Sequence, residues 1–193
     1  MGLTQSAKPS GEPVTLEQFK GHARIDGDDA NEGALRQLRG ATEEVQRLTA
    51  LQLLNATWVY TFDAFPIDAG GRIWMPKAPL SSVSSITYLD SDGDSQTVAA
   101  SVYQLVTSET PGSVVLQYGQ TWPTARTDTE AVTVTFVAGY GTDQAQVPDM
   151  AQNAVLALAT YRWWNPGAAD IPDDVMSAIR QLQVYPREPV LNG

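Results

Sequence analysis

AVTVTFV, at residues 131–137, is the most regular β pattern in this chain of 193 residues. Apolar and polar side chains alternate in it with a period of two, which is typical of a strand that buries one face. Shorter stretches of similar character precede it, from Trp58 to Phe62, Val83 to Leu89, Tyr103 to Thr107 and Val114 to Gln117. Their spacing and turn residues predict an antiparallel sheet or a small sandwich.

Helical patterns lie on the N-terminal side of these strands. Thr15 and Gln18 have the spacing of a capping box, which predicts the start of a short first helix. The acidic run from Asp26 to Asp29 offers an N-cap for a second helix. That helix carries an apolar stripe with alternating spacings of four and three residues, at Ala34, Leu38, Ala41, Val45 and Leu48.

The helical signal returns on the C-terminal side. A third helix begins near Pro148 and continues to about Trp164, with the sequence AVLALA at residues 154–159. This stretch is apolar around its whole circumference, so we expect it to be buried on every side, within the domain or against another subunit. A last short helix follows Ile171.

Helices on both sides of a strand-rich stretch are expected to pack on each other, because neither set is large enough to bury its apolar face alone. The predicted fold class is α+β, with a helical bundle formed by the N- and C-terminal helices and an inserted antiparallel β-rich domain. The predicted segments are a flexible N-terminal tail at 1–13, the helical bundle at 14–57 plus 147–183, the β-rich insertion at 58–146, and a C-terminal extension at 184–193.

The chain is acidic, with a formal net charge of −10, and contains no cysteine. Acidic domains repel phosphate backbones, so we do not expect sequence-specific binding of DNA. The absence of cysteine excludes disulfides and thiolate metal sites. The sequence also contains no apolar run long enough to span a bilayer, and no membrane association is expected.

Two groups of residues resemble metal or catalytic sites, and both have a simpler interpretation. His22 is the sole histidine, and the sequence supplies no spacing that would give it catalytic or metal-binding partners. Asp90, Asp92 and Asp94 resemble the start of a calcium loop, but Ser101 occupies the position where a bidentate glutamate is expected. We interpret the aspartates as a turn between two strands.

Other acidic residues also have ordinary explanations. Asp26, Asp28 and Asp29 are interpreted as helix caps rather than as cation ligands. Carboxylate pairs such as Asp63 and Asp68 occur by chance among 22 acidic residues, so they do not indicate a glycosidase. No residue is predicted to be catalytic, cofactor-binding or metal-binding, and the chain is predicted not to be an enzyme.

Aromatic and apolar residues near the C-terminus are candidates for an oligomer or partner interface. Tyr161, Trp163 and Trp164 are interpreted as a core cap or an interface rather than as a ligand platform. The full set of candidates is Tyr161, Trp163, Trp164, Ile179, Leu182, Tyr185, Arg187 and Leu191.

Several phrases in order resemble one protein family. They include VTLE at 14–17, HARID at 22–26, PLSSV at 79–83 and VTFVAGYG at 134–141, followed by Val147-Pro148. This ordered set resembles the head–tail connector (adaptor) proteins of tailed bacteriophages and of phage-derived gene transfer agents. The resemblance covers about residues 13–165.

The resemblance implies a structural, non-enzymatic ring protein, usually a dodecamer, without a cofactor. Its partners would be other copies of itself, the portal protein and a stopper or tail component, with DNA passing through the channel without sequence-specific binding. It would be located in the virion, at the head–tail interface, after assembly in the host cytoplasm. The alternative from another class is an acidic carbohydrate- or ligand-binding β domain of a tail or baseplate accessory protein.

Overall fold

The computed structural model describes residues 1–66 and 71–185, which contain eight strands and four α-helices. The strands are β1 (Gly2–Ala7), β2 (Ala56–Phe62), β3 (Ile73–Trp74), β4 (Leu80–Leu89), β5 (Ser95–Thr97), β6 (Tyr103–Val106), β7 (Ser113–Leu116) and β8 (Val132–Ala138). The helices are α1 (Leu16–Ala23), α2 (Asn31–Thr49), α3 (Asp149–Trp164) and α4 (Asp173–Arg180), with a 3-10 helix at Gln144–Gln146.

The chain forms two compact units, each built from separate segments. The β unit comprises residues 1–8 and 55–139 together with Tyr185, and the helical unit comprises residues 9–54 and 140–184. The main chain therefore passes from one unit to the other several times.

Strand β8 is the central strand of the β unit. It lies in a five-stranded antiparallel sheet with the order β1-β2-β8-β4-β5, while β3, β7 and β6 form a second antiparallel sheet. Phe136 of β8 is opposite Trp58 of β2 on one side and Val83 of β4 on the other. The most regular alternation in the sequence thus belongs to β8, which pairs along its length with β2 on one side and β4 on the other.

One apolar core is shared by the two sheets. The inward side chains of β8 are fully buried, and its intervening residues are only half-buried. Ile73 of β3 and Val114 of β7 belong to the same cluster, although they lie in the second sheet. Because strand side chains alternate between faces, a slip of one residue in β8 would turn its whole apolar set outward.

The predicted fold class is wrong, because strands dominate this structure. The described residues hold eight strands in two antiparallel sheets, against four helices of which two have only eight residues. A helical bundle with an inserted β domain does not describe this arrangement. The sequence pattern overlooked the strands whose side chains are mainly exposed, since these lack the apolar alternation of β8.

The segment predicted as a flexible tail, residues 1–13, contains strand β1. Gly2–Ala7 pairs antiparallel with β2, with Leu3 opposite Tyr60 and Gln5 opposite Trp58. The β part therefore begins before the first helix and is not an insertion. Its residues are polar because β1 is held by backbone hydrogen bonds at a sheet edge, where burial of side chains is small.

Helix α1 starts with the capping box that the sequence predicts. The Thr15 hydroxyl accepts a hydrogen bond from the Gln18 backbone N–H at 3.1 Å, and the Gln18 side chain accepts one from the Thr15 N–H at 2.9 Å. Together they satisfy two donors that a helix start leaves unpaired.

The second helix differs from expectation at its start. The N-cap of α2 is Ala30, which has no side chain able to cap, so the predicted aspartate cap is wrong. Asp28 instead accepts hydrogen bonds from Lys20 and Asn31.

Helix α3 packs against the other three helices of the unit. Ala154, Val155, Leu158 and Ala159 are buried, but Leu156 and Ala157 remain half-exposed. The expectation of burial on every side is therefore not met within a single chain.

Among the described residues, no helix is both long and apolar enough to cross a membrane.

We expect Val45→Asp to destabilise the protein by about 3–5 kcal/mol, because Val45 of α2 is fully buried and the carboxylate would have no partner. The free energy of unfolding from urea titration measures this effect. Glu43→Asp introduces the same residue on the exposed face of the same helix and should change stability little. Equal losses in both variants would contradict the burial of the α2 stripe.

Candidate functional site

The aromatic residues at the end of α3 divide into a structural and an exposed member. Trp163 is half-buried and meets Phe19 edge to face, with ring centroids 6.3 Å apart. Gly33 of α2 lies beside the same indole, at a distance where a Cβ would just touch it. Trp163 therefore joins α3 to α1 and α2, which is the core role that the sequence left open.

Trp164 is oriented differently and is 60% exposed. Its indole N–H donates to the carbonyl of Ala23 at 3.1 Å, at the end of α1. A second contact between these helix ends joins the His22 ring and the Thr160 hydroxyl, with 2.9 Å between Nδ1 and Oγ1. The Trp164 ring is thus held in one orientation while most of its surface faces solvent, as suits an aromatic interface anchor.

The remaining predicted interface residues fall into three groups. Ile179 is 1% exposed and packs within the helical unit, so its side chain is occupied inside its own subunit. Leu182 is half-buried, whereas Tyr185 is 74% exposed. Arg187 and Leu191 lie outside the described residues.

An exposed stripe runs along α3 and includes residues that the sequence interpretation missed. We use the name α3 stripe for Met150, Asn153, Ala157, Tyr161 and Trp164, which follow each other at spacings of three and four. Met150 is 54% exposed, and Ala157 and Tyr161 are half-buried. Helical periodicity was the available signal, but the sequence could not show which side of an apolar helix faces solvent.

An ion pair fixes the helix that carries this stripe. Nη2 of Arg162 lies 3.0 and 3.3 Å from the two carboxylate oxygens of Glu44 on α2, and both side chains are largely buried. A second guanidinium nitrogen of Arg162 donates to the carbonyl of Ala168. Partly buried pairs of this kind add little net stability, but removal of one partner would leave the other charge buried without a counterion.

The β unit presents an isolated aromatic residue that was also missed. Tyr118 is fully exposed on a turn in which the Gln120 N–H donates to the Gln117 carbonyl at 3.0 Å. Gly119 follows with a φ of 75°, a conformation that most residues avoid. The signal available in the sequence was the Tyr-Gly pair after a strand, but exposure cannot be read from it.

Another aromatic cluster of the β unit serves as packing. The Trp122 ring stacks on Phe65 with centroids 4.9 Å apart, and the Tyr103 ring lies 6.4 Å from Trp122 at an interplanar angle of 28°. The Trp122 indole N–H donates to the Gly71 carbonyl at 2.7 Å. Its ring and its N–H thus have partners within the chain, so this cluster offers no specific support for the carbohydrate-binding alternative.

The aspartate turn between β4 and β5 uses its first carboxylate for structure. Oδ1 of Asp90 accepts from the backbone N–H groups of Asp92 and Asp94, each at 3.0 Å, and Oδ2 accepts from Gln96. Hydrogen bonds from the Gln96 side chain and the Asp94 backbone lower the pKa of Asp90 from its ordinary 3.8. Within the described residues, no cluster of three or more histidine or acidic side chains is arranged to hold a metal.

Two small clefts are lined by residues already engaged in ion pairs. In one, of about 370 Å³, the Arg72 guanidinium lies 4.7 Å above the Trp74 ring and 2.6 Å from a Glu109 oxygen. In the other, Nζ of Lys20 contacts Asp28 and the Asn31 side chain, at 3.0 and 2.7 Å. The hydrogen bond from Lys20 lowers the pKa of Asp28, so this aspartate has a cation partner from the chain itself.

We expect Trp163→Ala to lower the free energy of unfolding by roughly 3 kcal/mol through the cavity it leaves. Trp164→Ala should cost only about 1 kcal/mol, chiefly the hydrogen bond to Ala23. Chemical denaturation of the two variants checks the difference. A larger loss for Trp164→Ala would show that the exposed ring is a core element.

We expect Asp90→Ala to lower the melting temperature, whereas Asp92→Ala and the addition of calcium or EDTA should leave it unchanged. The pKa of Asp90 is lowered in the folded state, so its contribution is present above the pKa of the unfolded chain. That contribution disappears as the pH falls through the lowered value. The melting temperatures of wild type and Asp90→Ala should therefore converge as the pH is lowered from neutral to strongly acidic. A rise in melting temperature on adding calcium, abolished by Asp92→Ala, would contradict the turn assignment.

No family model matches the chain, and no curated protein does. Among solved structures, the chain is similar to one in the virion of a native gene transfer agent (GTA) particle, with 24% identity and a TM-score of 0.77. It is also similar to one in the neck of an empty GTA particle computed with C6 symmetry, with 23% identity and a TM-score of 0.78. A third is in the neck of a native GTA particle computed with C12 symmetry, with 26% identity and a TM-score of 0.75.

Each of these similarities covers 100% of this chain and 99% of the other. They are therefore not similarities of one unit or of a common sheet motif. The chain has, over its whole length, the fold of a component found in the virion and neck of gene transfer agent particles.

Proposed function

We propose that the chain is a structural subunit of the neck of a tailed phage or gene transfer agent particle, acting there as a head–tail connector (adaptor). The observation that carries this proposal is the full-length similarity to chains in GTA particle necks, with TM-scores of 0.75 and 0.78. The ordered phrases that resemble connector proteins support the same proposal from the sequence alone. The role requires surfaces for other subunits and no catalytic chemistry.

A ring is the assembly that this role requires. Similar chains occur in necks computed with C6 and C12 symmetry, and we extend a closed ring, twelvefold in our proposal, to this protein. Head-to-tail packing uses two different surface patches on each subunit and closes when the rotation between neighbours allows. The α3 stripe is one candidate patch, because it leaves apolar surface in solvent that a second subunit would bury.

The proposed partners above and below the ring are the portal protein and a stopper or tail component. Trp164 and Tyr185 are candidates for these contacts, since both present large aromatic surfaces to solvent. Arg187 and Leu191 remain candidates from the sequence. In this proposal the protein is located in the virion, at the head–tail interface, after assembly in the host cytoplasm.

DNA would pass through the ring without being bound by sequence. The net charge of −10 opposes adhesion to a phosphate backbone, and a repulsive surface would let DNA slide rather than stick. Nonspecific DNA affinity that persists at physiological salt would contradict this part of the proposal.

Electron microscopy of the purified protein, alone and mixed with its portal, tests the proposed function. We expect closed rings, or a ring of this protein docked on the portal ring. A protein that remains monomeric and does not associate with portals or portal-bearing heads would refute the connector role.

Removal of residues 186–193, by truncation after Tyr185, should leave the melting temperature nearly unchanged while weakening attachment to portal-bearing heads. A cut after Leu182 is a poorer test, because it also removes Val184, which is buried and donates its N–H to the Thr49 carbonyl at 2.8 Å. Sedimentation of heads with labelled protein measures attachment. Undiminished attachment of the shorter protein would exclude a docking role for these residues.

A further inference from the structure

The five-stranded sheet has two strand edges at which backbone groups lack a paired neighbouring strand within the described residues. On one side, β1 is the terminal strand of the order β1-β2-β8-β4-β5. On the other side, β5 pairs with only Thr87–Leu89 of the ten-residue strand β4, and the Val98 N–H extends this contact to Ile86. In the described part of the chain, no backbone hydrogen bond reaches the outer side of residues 81–85.

Both open edges lack two of the features with which proteins usually protect such strands, namely charged side chains and prolines. Neither β1 nor β4 contains a charged side chain or a proline. Ser81, Ser82 and Ser84 are exposed small residues, which let another backbone approach closely. By contrast, β5 is three residues long and directly follows Asp92 and Asp94, and short, charge-flanked edges resist pairing.

Strand direction determines how two copies would join. Each of the pairs β1–β2, β2–β8 and β8–β4 is antiparallel, so β1 and β4 run in opposite directions. If a second copy continues the same sheet, its β1 lies antiparallel to the first copy's β4. Two different edges meet in this contact, so it is head-to-tail, and it closes into a ring when the rotation between neighbours allows.

We propose that β1 of one subunit pairs antiparallel with the open first half of β4, residues 81–85, of the neighbouring subunit. The occupant of each edge is thus a second copy of this chain. This inference rests on the proposed ring function, and it names the backbone contact between ring neighbours.

The contact is short, because bulges interrupt both strands. The register of β1 shifts between Gln5 and Ala7, and that of β4 shifts between Leu80 and Ser82 and again between Val83 and Ser85. Only about four residues of β1 therefore run straight, and so few backbone pairs are weak in isolation. Ring closure would join many such contacts, so that assembly becomes cooperative while the free subunit avoids uncontrolled sheet growth.

Engineered cysteines test this pairing directly, because the natural chain has none. We would combine Thr4→Cys in β1 with Ser81→Cys, Ser82→Cys or Ser84→Cys in β4, which allows for different registers. A disulfide needs Cα atoms within about 4.4–6.8 Å, so only closely paired strands will oxidise efficiently. Thr4→Cys with Thr87→Cys is the matched control, since β5 already covers Thr87.

We expect at least one double variant to give a ladder of cross-linked species on a non-reducing gel, ending at the size of the ring. Each single variant should remain uncross-linked, and a mixture of two singles should give dimers only. Cross-linked dimers of Thr4→Cys alone would show that β1 pairs with β1, and this would overturn the proposal. Exchange of β1 between subunits is tested by Thr4→Cys with Val59→Cys, its opposite residue on β2; cross-links between subunits there, with none to β4, would also overturn it.

Electron microscopy of the same samples separates this inference from the proposed function. Rings without any β1–β4 cross-link would refute the edge pairing and leave the connector role intact. A cross-linked ladder without rings, alone or with portals, would support the edge pairing and contradict the connector role.

A charged edge provides a second measurement. Thr4→Lys should weaken assembly by about tenfold or more, because a buried ladder position would receive a charge, whereas Thr4→Val should assemble normally. Melting temperatures of the dissociated subunits should be similar, since Thr4 is exposed in the single chain. Equal assembly of Thr4→Lys and wild type would refute a buried β1 edge.

Discussion

The register of β8 is the constraint on which the rest of the β unit depends. This strand pairs along its length with β2 and with β4, while its inward residues enter the core shared by both sheets. Val134 and Phe136 cannot stay buried if either neighbour shifts by one residue. The register of β8 therefore determines the position of β4. It also determines where the turn after β4 and the open edge at its start lie.

Local signals in the sequence predicted the cap of α1 and the central strand β8, but not the cap of α2. The capping box at Thr15 is confirmed because it depends on two side chains three residues apart, and the alternation in β8 is visible because one face is fully buried. The polar strand β1 and the two-residue strand β3 were not predicted, since each is stabilised by a partner distant in sequence rather than by its own pattern. Strand β5 follows β4 after a tight turn, but its three residues are too few to show an alternation. Missing these strands is what made the predicted fold class wrong.

The candidate site shows the same limit. Residue type suggested Trp163, Trp164 and Ile179 as interface residues, but type does not reveal which side of a helix faces its own subunit. In the single chain, Trp163 is half-buried against Phe19, and Ile179 is almost completely buried. Trp164 remains exposed although it is adjacent in sequence, because consecutive helical residues point about 100° apart. Tyr118 could not have been found by type at all, since its exposure depends on the geometry of one turn.

The division of each unit into separated chain segments has a consequence for the order of folding. Helices α1 and α2 are synthesised early, but α3, against which they pack, follows only after the whole of residues 55–139. During translation, the part of α2 that packs on α3 therefore stays uncovered until α3 itself has left the ribosome. Such long-range closure slows folding and lengthens the exposure of sticky surface. Nascent chains of this protein are thus expected to present this apolar surface to chaperones during synthesis.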